Sequence, residues 1–197
     1  ESWIGRKDQI KRKVKALIMS QLNTIEVSGR NLVVADVIVR YVVKTLQRDL
    51  ELLKKEGREA FEILGREIRV GGVFCSQKFK GFIDRLDSFH DGEARVVDYK
   101  TGKVLEDDEN INDANAEDIA DKIFHPDMKN WPKIALQFYV YDMLVQSRPE
   151  VRGRKICNCV YSTAHLFKEP PVAVPMNARF YDAVSERLEA LLTEMYD

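Results

Sequence analysis

The stretch Gly81-Phe82-Ile83-Asp84-Arg85-Leu86-Asp87, followed by Asp91-Gly92 and then Val96-Val97-Asp98-Tyr99-Lys100-Thr101-Gly102, decides how this chain is read. Two β-rich runs flank an Asp-Gly pair, the pattern of an antiparallel hairpin. If the loop has three residues, His90-Asp91-Gly92, then Gly92 takes the left-handed position that such loops favour. Phe89 then faces Glu93, and Asp84 faces Asp98. A two-residue loop would shift the register by one and part the two aspartates onto opposite faces. In the three-residue register, alternation places Phe82, Asp84, Leu86, Val96, Asp98 and Lys100 on one face. Two carboxylates opposed on an otherwise apolar face repel, and low-dielectric neighbours sharpen the repulsion, so positive charge belongs between them. Lys100 would supply it as a buried ion pair. A divalent cation would supply it as a hard ion with oxygen ligands and positions left for water and phosphate. Spacing leaves both readings open.

Outward from the hairpin, Glu67 to Thr101 reads as a meander of three strands, broken at Gly71-Gly72 and at Asp91-Gly92. Upstream, Ile10, Val14, Leu17, Ile18 and Leu22 recur at three- and four-residue steps, which predicts an amphipathic helix over 6–22; a second helix is expected over 33–55. Downstream, Val104 to Pro132 is acidic and Asn-rich. It is expected to be a solvated, mobile insertion with a short helix near Ala114–Ile123. A helix over 133–146, a strand over 155–163 and a closing helix over 177–196 complete the order α, α, β-meander, α, β, α.

The 197 residues are 45% apolar and 32% charged, with 31 basic against 32 acidic side chains, which excludes collagen-like and disordered classes. No apolar run approaches a membrane span. Cys75, Cys157 and Cys159 fit neither a disulfide framework nor a four-ligand metal site and read as reduced, intracellular thiols. The expected location is cytoplasmic, of bacterial type. Residues 1–103 carry a net +6 and residues 104–197 a net −7. The basic cluster from Arg6 to Lys15 reads as a solvated helix face. The chain starts at Glu1 and is expected to be a fragment of a longer one.

Gly81-Phe82-Ile83-Asp84-Arg85, then Asp98-Tyr99-Lys100-Thr101-Gly102, then Gln137 and Tyr141 on one helix resemble the signature of the PD-(D/E)XK nuclease superfamily, specifically its RecB-like exonuclease branch. The resemblance spans roughly residues 67–141. It implies an α/β, restriction-endonuclease-like core with a central mixed β-sheet flanked by α-helices. The whole chain would be one nuclease domain, with a helical N-terminal part over 1–60, a catalytic core over 66–163 and a C-terminal helix over 177–196. In what it implies for the site, Asp84 and Asp98 bind Mg²⁺ or Mn²⁺ with the backbone carbonyl of Tyr99, and Lys100 orients or helps deprotonate the attacking water. Gln137 contacts DNA or supports the site, and Glu67 is a further candidate metal ligand. Arg85 and Lys103, flanking the hairpin, are candidates for phosphate contacts. The implied activity is metal-dependent hydrolysis of DNA by the exonuclease domain of a helicase-nuclease or recombination and repair protein, with DNA and a helicase or motor segment as partners and no iron-sulfur cluster. Many members use an upstream histidine as a ligand, whereas His90, His125 and His165 all follow Asp84. The alternative is a catalytically inactive module that keeps the nuclease fold for DNA binding or scaffolding.

Overall fold

The computed structural model describes residues 5–102, 104–125 and 131–196. The chain divides into two compact units, Glu1–Glu59 with His165–Pro170, and Ala60–Ala164 with Pro171–Asp197.

The first unit is a helical pair, α1 (Lys7–Leu22) and α2 (Arg30–Lys55). Ile10 and Val14 of α1 meet Ala35 and Val43 of α2 in a small core that also holds Val27. Asn23 ends α1 in the left-handed conformation (φ 49°) that lets its amide turn back onto the last carbonyls. The Val- and Ile-rich opening of α2 has strand propensity. Its Ala35–Val39–Val42–Val43–Leu46 stripe at helical spacing faces α1, and that packing overrides the propensity.

The second unit is built on a five-stranded sheet in the order β1 (Glu62–Phe74), β2 (Gln77–Ser88), β3 (Glu93–Lys100), β4 (Lys155–Ser162) and β5 (Val172–Val174). All neighbours are antiparallel except β3 and β4, so the expected mixed α/β architecture is the one observed. The parallel pair needs a long crossover. It carries α3 (Glu106–Glu109), α4 (Ala116–Ile123) and α5 (Lys133–Val145), and α6 (Ala178–Tyr196) closes the chain. Ile83, Leu86 and Val96 of the sheet share one core with Ile119 of α4, Phe138 of α5 and Phe180 of α6.

Three expectations are corrected. Gly71-Gly72 is not a turn: β1 runs through it and the turn falls at Cys75-Ser76, where both residues take positive φ (48° and 63°), as a two-residue hairpin loop requires. Gly72 instead marks where α5 packs closely on β1, since a Cβ there would lie 3.0 Å from Leu144 Cδ2. Nor is the 104–132 segment a solvated insertion over its described part, since Ile111, Ala116, Ile119, Ala120 and Ile123 are core residues and Asp108 is fully buried. Their spacing makes α4 amphipathic, and burying that face binds the segment to α6. The short edge strand β5, paired with β4, had no strand pattern long enough to be read.

Asp142, in the last turn of α5, is completely buried and joins three elements. Its Oδ2 accepts hydrogen bonds from Asn158 Nδ2 of β4 (2.7 Å) and from the Tyr181 hydroxyl of α6. Burial pushes its carboxyl up to about 7 despite these two donors. Between the unfolded value near 3.8 and about 7, the folded chain holds a proton that the unfolded chain has lost. The stabilisation is therefore full below that window and is lost as pH rises through about 7, with a slope of up to about 1.4 kcal/mol per pH unit. Urea melts across pH 4–8 are expected to show that slope in the wild type and to lack it in Asp142→Asn.

Candidate active site

The β2–β3 ladder pairs Arg85 with Val97, Leu86 with Val96 and Asp87 with Arg95. Continued by one residue, that register sets Asp84 opposite Asp98. β2 ends at Ser88 and β3 begins at Glu93; the same register carried to the tip sets Phe89 opposite Glu93 and leaves His90-Asp91-Gly92 as the loop, with the Glu93 N–H bonded to the His90 carbonyl and Gly92 at φ 82°, so this part of the hairpin is as the sequence predicts. The faces are not. Ile83 and Leu86 belong to the same core although three residues apart, while Phe82 is 57% exposed, so strict alternation breaks at Asp84. The neighbouring strand breaks at the same level: Arg66 pairs with Arg85 and Ile68 with Ile83, and Glu67 between them has φ 50°, a left-handed conformation that a non-glycine residue adopts at a cost.

At the break Asp84 has no partner in either ladder, and its carboxylate takes up a backbone donor instead. Its Oδ2 accepts the backbone N–H of Tyr99 at 2.8 Å, taking the place of a strand carbonyl. One residue's N–H and C=O point to the same side of a strand, so the Tyr99 carbonyl is turned toward Asp84 as well. The next residue obeys the same rule on the other side, where the Lys100 carbonyl accepts the N–H of Thr163, beyond β4, at 2.7 Å. Burial raises the Asp84 carboxyl above the ordinary carboxylate range, and the negative charges of Asp98 and Glu67 add to that, against the Tyr99 N–H and Lys100, which lower it.

Asp98 is buried, and Lys100 Nζ lies 2.9 Å from its Oδ2. Gln137, one turn into α5, ties the group together: its Oε1 accepts Lys100 Nζ at 2.6 Å, and its Nε2 donates to Asp98 Oδ1 at 3.1 Å and to the Tyr141 hydroxyl at 2.7 Å. Gln137 and Tyr141 share a helix face because they are four residues apart. Tyr141 in turn packs over Gly81, where a Cβ would stand 2.9 Å from the ring. The first glycine of the Gly-x-x-Asp run therefore lets α5 approach β2 closely enough to reach Asp98.

A model of the PD-(D/E)XK nuclease superfamily matches residues 8–197. The chain belongs to that superfamily. No curated protein matches it. PD-(D/E)XK nucleases generally use divalent metal ions, and the mixed sheet with flanking helices is their restriction-endonuclease-like core. The residues here fit such an ion. Asp98 Oδ2 is buried against Lys100 Nζ at 2.9 Å, and Asp84 beside it is desolvated and held in a field of like charges, so one ammonium stands against two carboxylates and negative charge is left under-compensated in one place. Among the described residues no group of three His, Cys, Asp or Glu side chains is gathered as a metal site.

Glu67 lines a shallow cleft of about 460 Å³ with Arg66, Asp84, Arg85 and Tyr99, so it stands beside Asp84 although its side chain is exposed. Arg85 corrects an expectation. It is not a surface residue awaiting phosphate: it is 7% exposed, its Nε lies 2.8 Å from Asp87 Oδ2, its Nη2 donates to the Tyr161 hydroxyl, and its guanidinium lies over the Phe61, Tyr99 and Tyr161 rings. Lys103 lies outside the described residues.

Asp108 was not singled out from the sequence. Pro132 precedes α5 and has no side chain that can cap it; the buried Asp108 does so from a distance, its Oδ1 accepting the Ala135 N–H at 2.8 Å while its Oδ2 accepts the N–H of Leu105 at 3.4 Å. It thereby anchors the turn that precedes Gln137. Asp108→Ala is expected to cost roughly 1–2 kcal/mol in a urea titration, the range of a lost N-cap.

Proposed function

We propose that the protein is a Mg²⁺- or Mn²⁺-dependent deoxyribonuclease of the RecB-like exonuclease branch, acting as the nuclease domain of a helicase-nuclease or a recombination and repair protein. The observation that carries this reading is the Lys100–Gln137–Asp98 network set against Asp84. A buried ion pair alone would account for Asp98 and Lys100, but it gives no reason for a second, desolvated carboxylate at the same place. Asp84, Asp98 and the Tyr99 carbonyl would hold the ion, with Glu67 at the edge of the cleft. Bound there, the metal would supply charge stabilisation for the phosphate and a more acidic water. Lys100 would present an ammonium donor to the attacking water or a phosphate oxygen, fixed in direction by Asp98 and Gln137. Both ends of the Gln137 amide are engaged within the site, which favours a supporting role over a DNA contact.

The test uses labelled linear and circular DNA, single- and double-stranded, with Mg²⁺ or Mn²⁺, alongside thermal melts with and without Mn²⁺. Degradation of linear but not circular DNA supports the exonuclease. A folded protein that neither cuts nor gains stability from Mn²⁺, while Asp98→Asn melts identically, supports the inactive nuclease-fold module instead.

A further inference from the structure

The charge of the chain is partitioned between its units. The unit that carries Asp84 and Asp98 has 17 Lys and Arg against 23 Asp and Glu, whereas the helical unit has 14 against 9. A polyanion has little long-range attraction to the first and a positive surface on the second.

That surface has a shape. Lys7 and Lys11, four residues apart on α1, and Arg40 and Lys44, four apart on α2, line the two sides of one open cleft of about 530 Å³ whose apolar lining is Val39 and Val43. Each pair is spaced about 6 Å along its helix. Asp8 and Asp36 also line it, but Asp36 is already taken by Lys11 at 2.8 Å, and its carboxyl is pulled below the ordinary range by that lysine first and also by Lys15 and Arg40. Asp36 is thus held in a positive field by its neighbours. Lys44 lies 3.7 Å from Glu51, whose nearer partner is Arg48 at 2.6 Å.

At the lip stands Phe167, 51% exposed. The ring stays half in water at the edge of a basic cleft, and it is firmly held. Tyr41 meets it edge-on at 5.3 Å, and Arg48 Nε donates to the carbonyl of the preceding Leu166 at 2.9 Å. Basic groups in facing rows with a fixed aromatic platform are what an unpaired nucleic-acid strand uses, the rows for its phosphates and the ring for a base. A duplex could satisfy only the rows, since its bases are already stacked.

We propose that this cleft is an accessory binding seat for single-stranded DNA, separate from the metal centre, with Lys7, Lys11, Arg40 and Lys44 on the phosphates and Phe167 stacked on a base. Only the choice of DNA as the polymer rests on the nuclease reading. The test measures anisotropy of a fluorescent oligothymidylate, and of a duplex of equal length, on the full chain in EDTA. The wild type binds the single strand more tightly than the duplex. Lys7→Glu with Arg40→Glu, both at exposed positions, weakens the single strand at least tenfold and flattens the dependence of log K on log salt by about 1.4, the contribution of two phosphate contacts. Phe167→Ala weakens it by roughly 5- to 100-fold, and Phe167→Trp restores it, which loss of a purely structural side chain would not do. Unchanged binding in the charge-reversed protein, or equal losses for single strand and duplex in Phe167→Ala, overturns the proposal. Hydrolysis of DNA by the wild type with Mn²⁺, measured on the same preparation, reports separately on the nuclease reading.

Discussion

Lys100→Ala is expected to lower the rate of DNA hydrolysis by about 10²- to 10⁴-fold, the range over which a positioned proton-transfer or charge-stabilising group contributes, while leaving the protein folded. Lys100 is partly exposed at 28% of its side chain, so the fold does not depend on filling its volume. Its removal leaves Asp98 without its ion-pair partner and Gln137 Oε1 without its donor. The carboxylate then retains one donor, Gln137 Nε2, and its negative charge is less compensated. A divalent ion should therefore still bind, and still raise the melting temperature, in the variant that no longer cuts. That separation is the informative result: Mn²⁺ stabilisation retained with hydrolysis lost assigns Lys100 to the chemistry, whereas loss of both would make it a structural member of the ion pair. Single-turnover rates with a labelled oligonucleotide, set beside Mn²⁺-dependent melts, distinguish the two.

Asp87→Ala is expected to be the most destabilising single change argued from this structure, at about 3–5 kcal/mol. Asp87 is fully buried between two arginines: Arg95 Nε and Nη2 reach its two oxygens at 2.8 and 2.9 Å, and Arg85 Nε lies 2.8 Å from Oδ2. Alanine would leave two guanidinium groups in a low-dielectric setting with no anion among them. The rings around them, with Arg95 over Phe89 at 4.3 Å and Phe61 stacked on Phe89, cannot replace a full negative charge. Against a total of 5–15 kcal/mol for an ordinary domain, such a loss would shift the urea midpoint far toward zero. A compensated variant, Asp87→Leu with Arg95→Met, removes both signs of charge and is expected to recover part of the stability. If the single variant melts like the wild type, the ion pairs carry no weight.

How much of this could be read in advance depended on whether a signal is local. The opposition of Asp84 and Asp98 was legible because Asp91-Gly92 fixes the loop and the loop fixes the register. The same register also opposes Asp87 to Arg95, so the buried arginine cluster was within reach, and Arg85 could have been assigned to it rather than to phosphate. The break in alternation at Asp84 was not legible: it depends on the left-handed backbone of Glu67, on another strand, and nothing in the identity of a glutamate announces that conformation. Asp108 and Asp142 were hidden for a related reason. Each lies in a segment whose local sequence gives an aspartate no special meaning; one caps a helix that begins 25 residues later, and the other is buried by a strand and a helix that follow it in the chain. The acidic run around Asp108 suggested solvent because charge density outweighed the Ile and Ala spacing that buries the segment.

The His90-Asp91-Gly92 loop of the β2–β3 hairpin also sets what sequence change the family member can absorb. Asp91 is exposed, so substitutions there should be tolerated as long as Gly92 keeps its φ of 82°. Length is another matter. Loss or gain of one residue there would leave Asp84, Asp98 and Lys100 all present when sequences are compared, yet would slide β3 by one position and carry Asp98 and Lys100 away from Gln137. In this hairpin an indel, rather than a substitution, is the change that would dismantle the site while its motif still reads as intact.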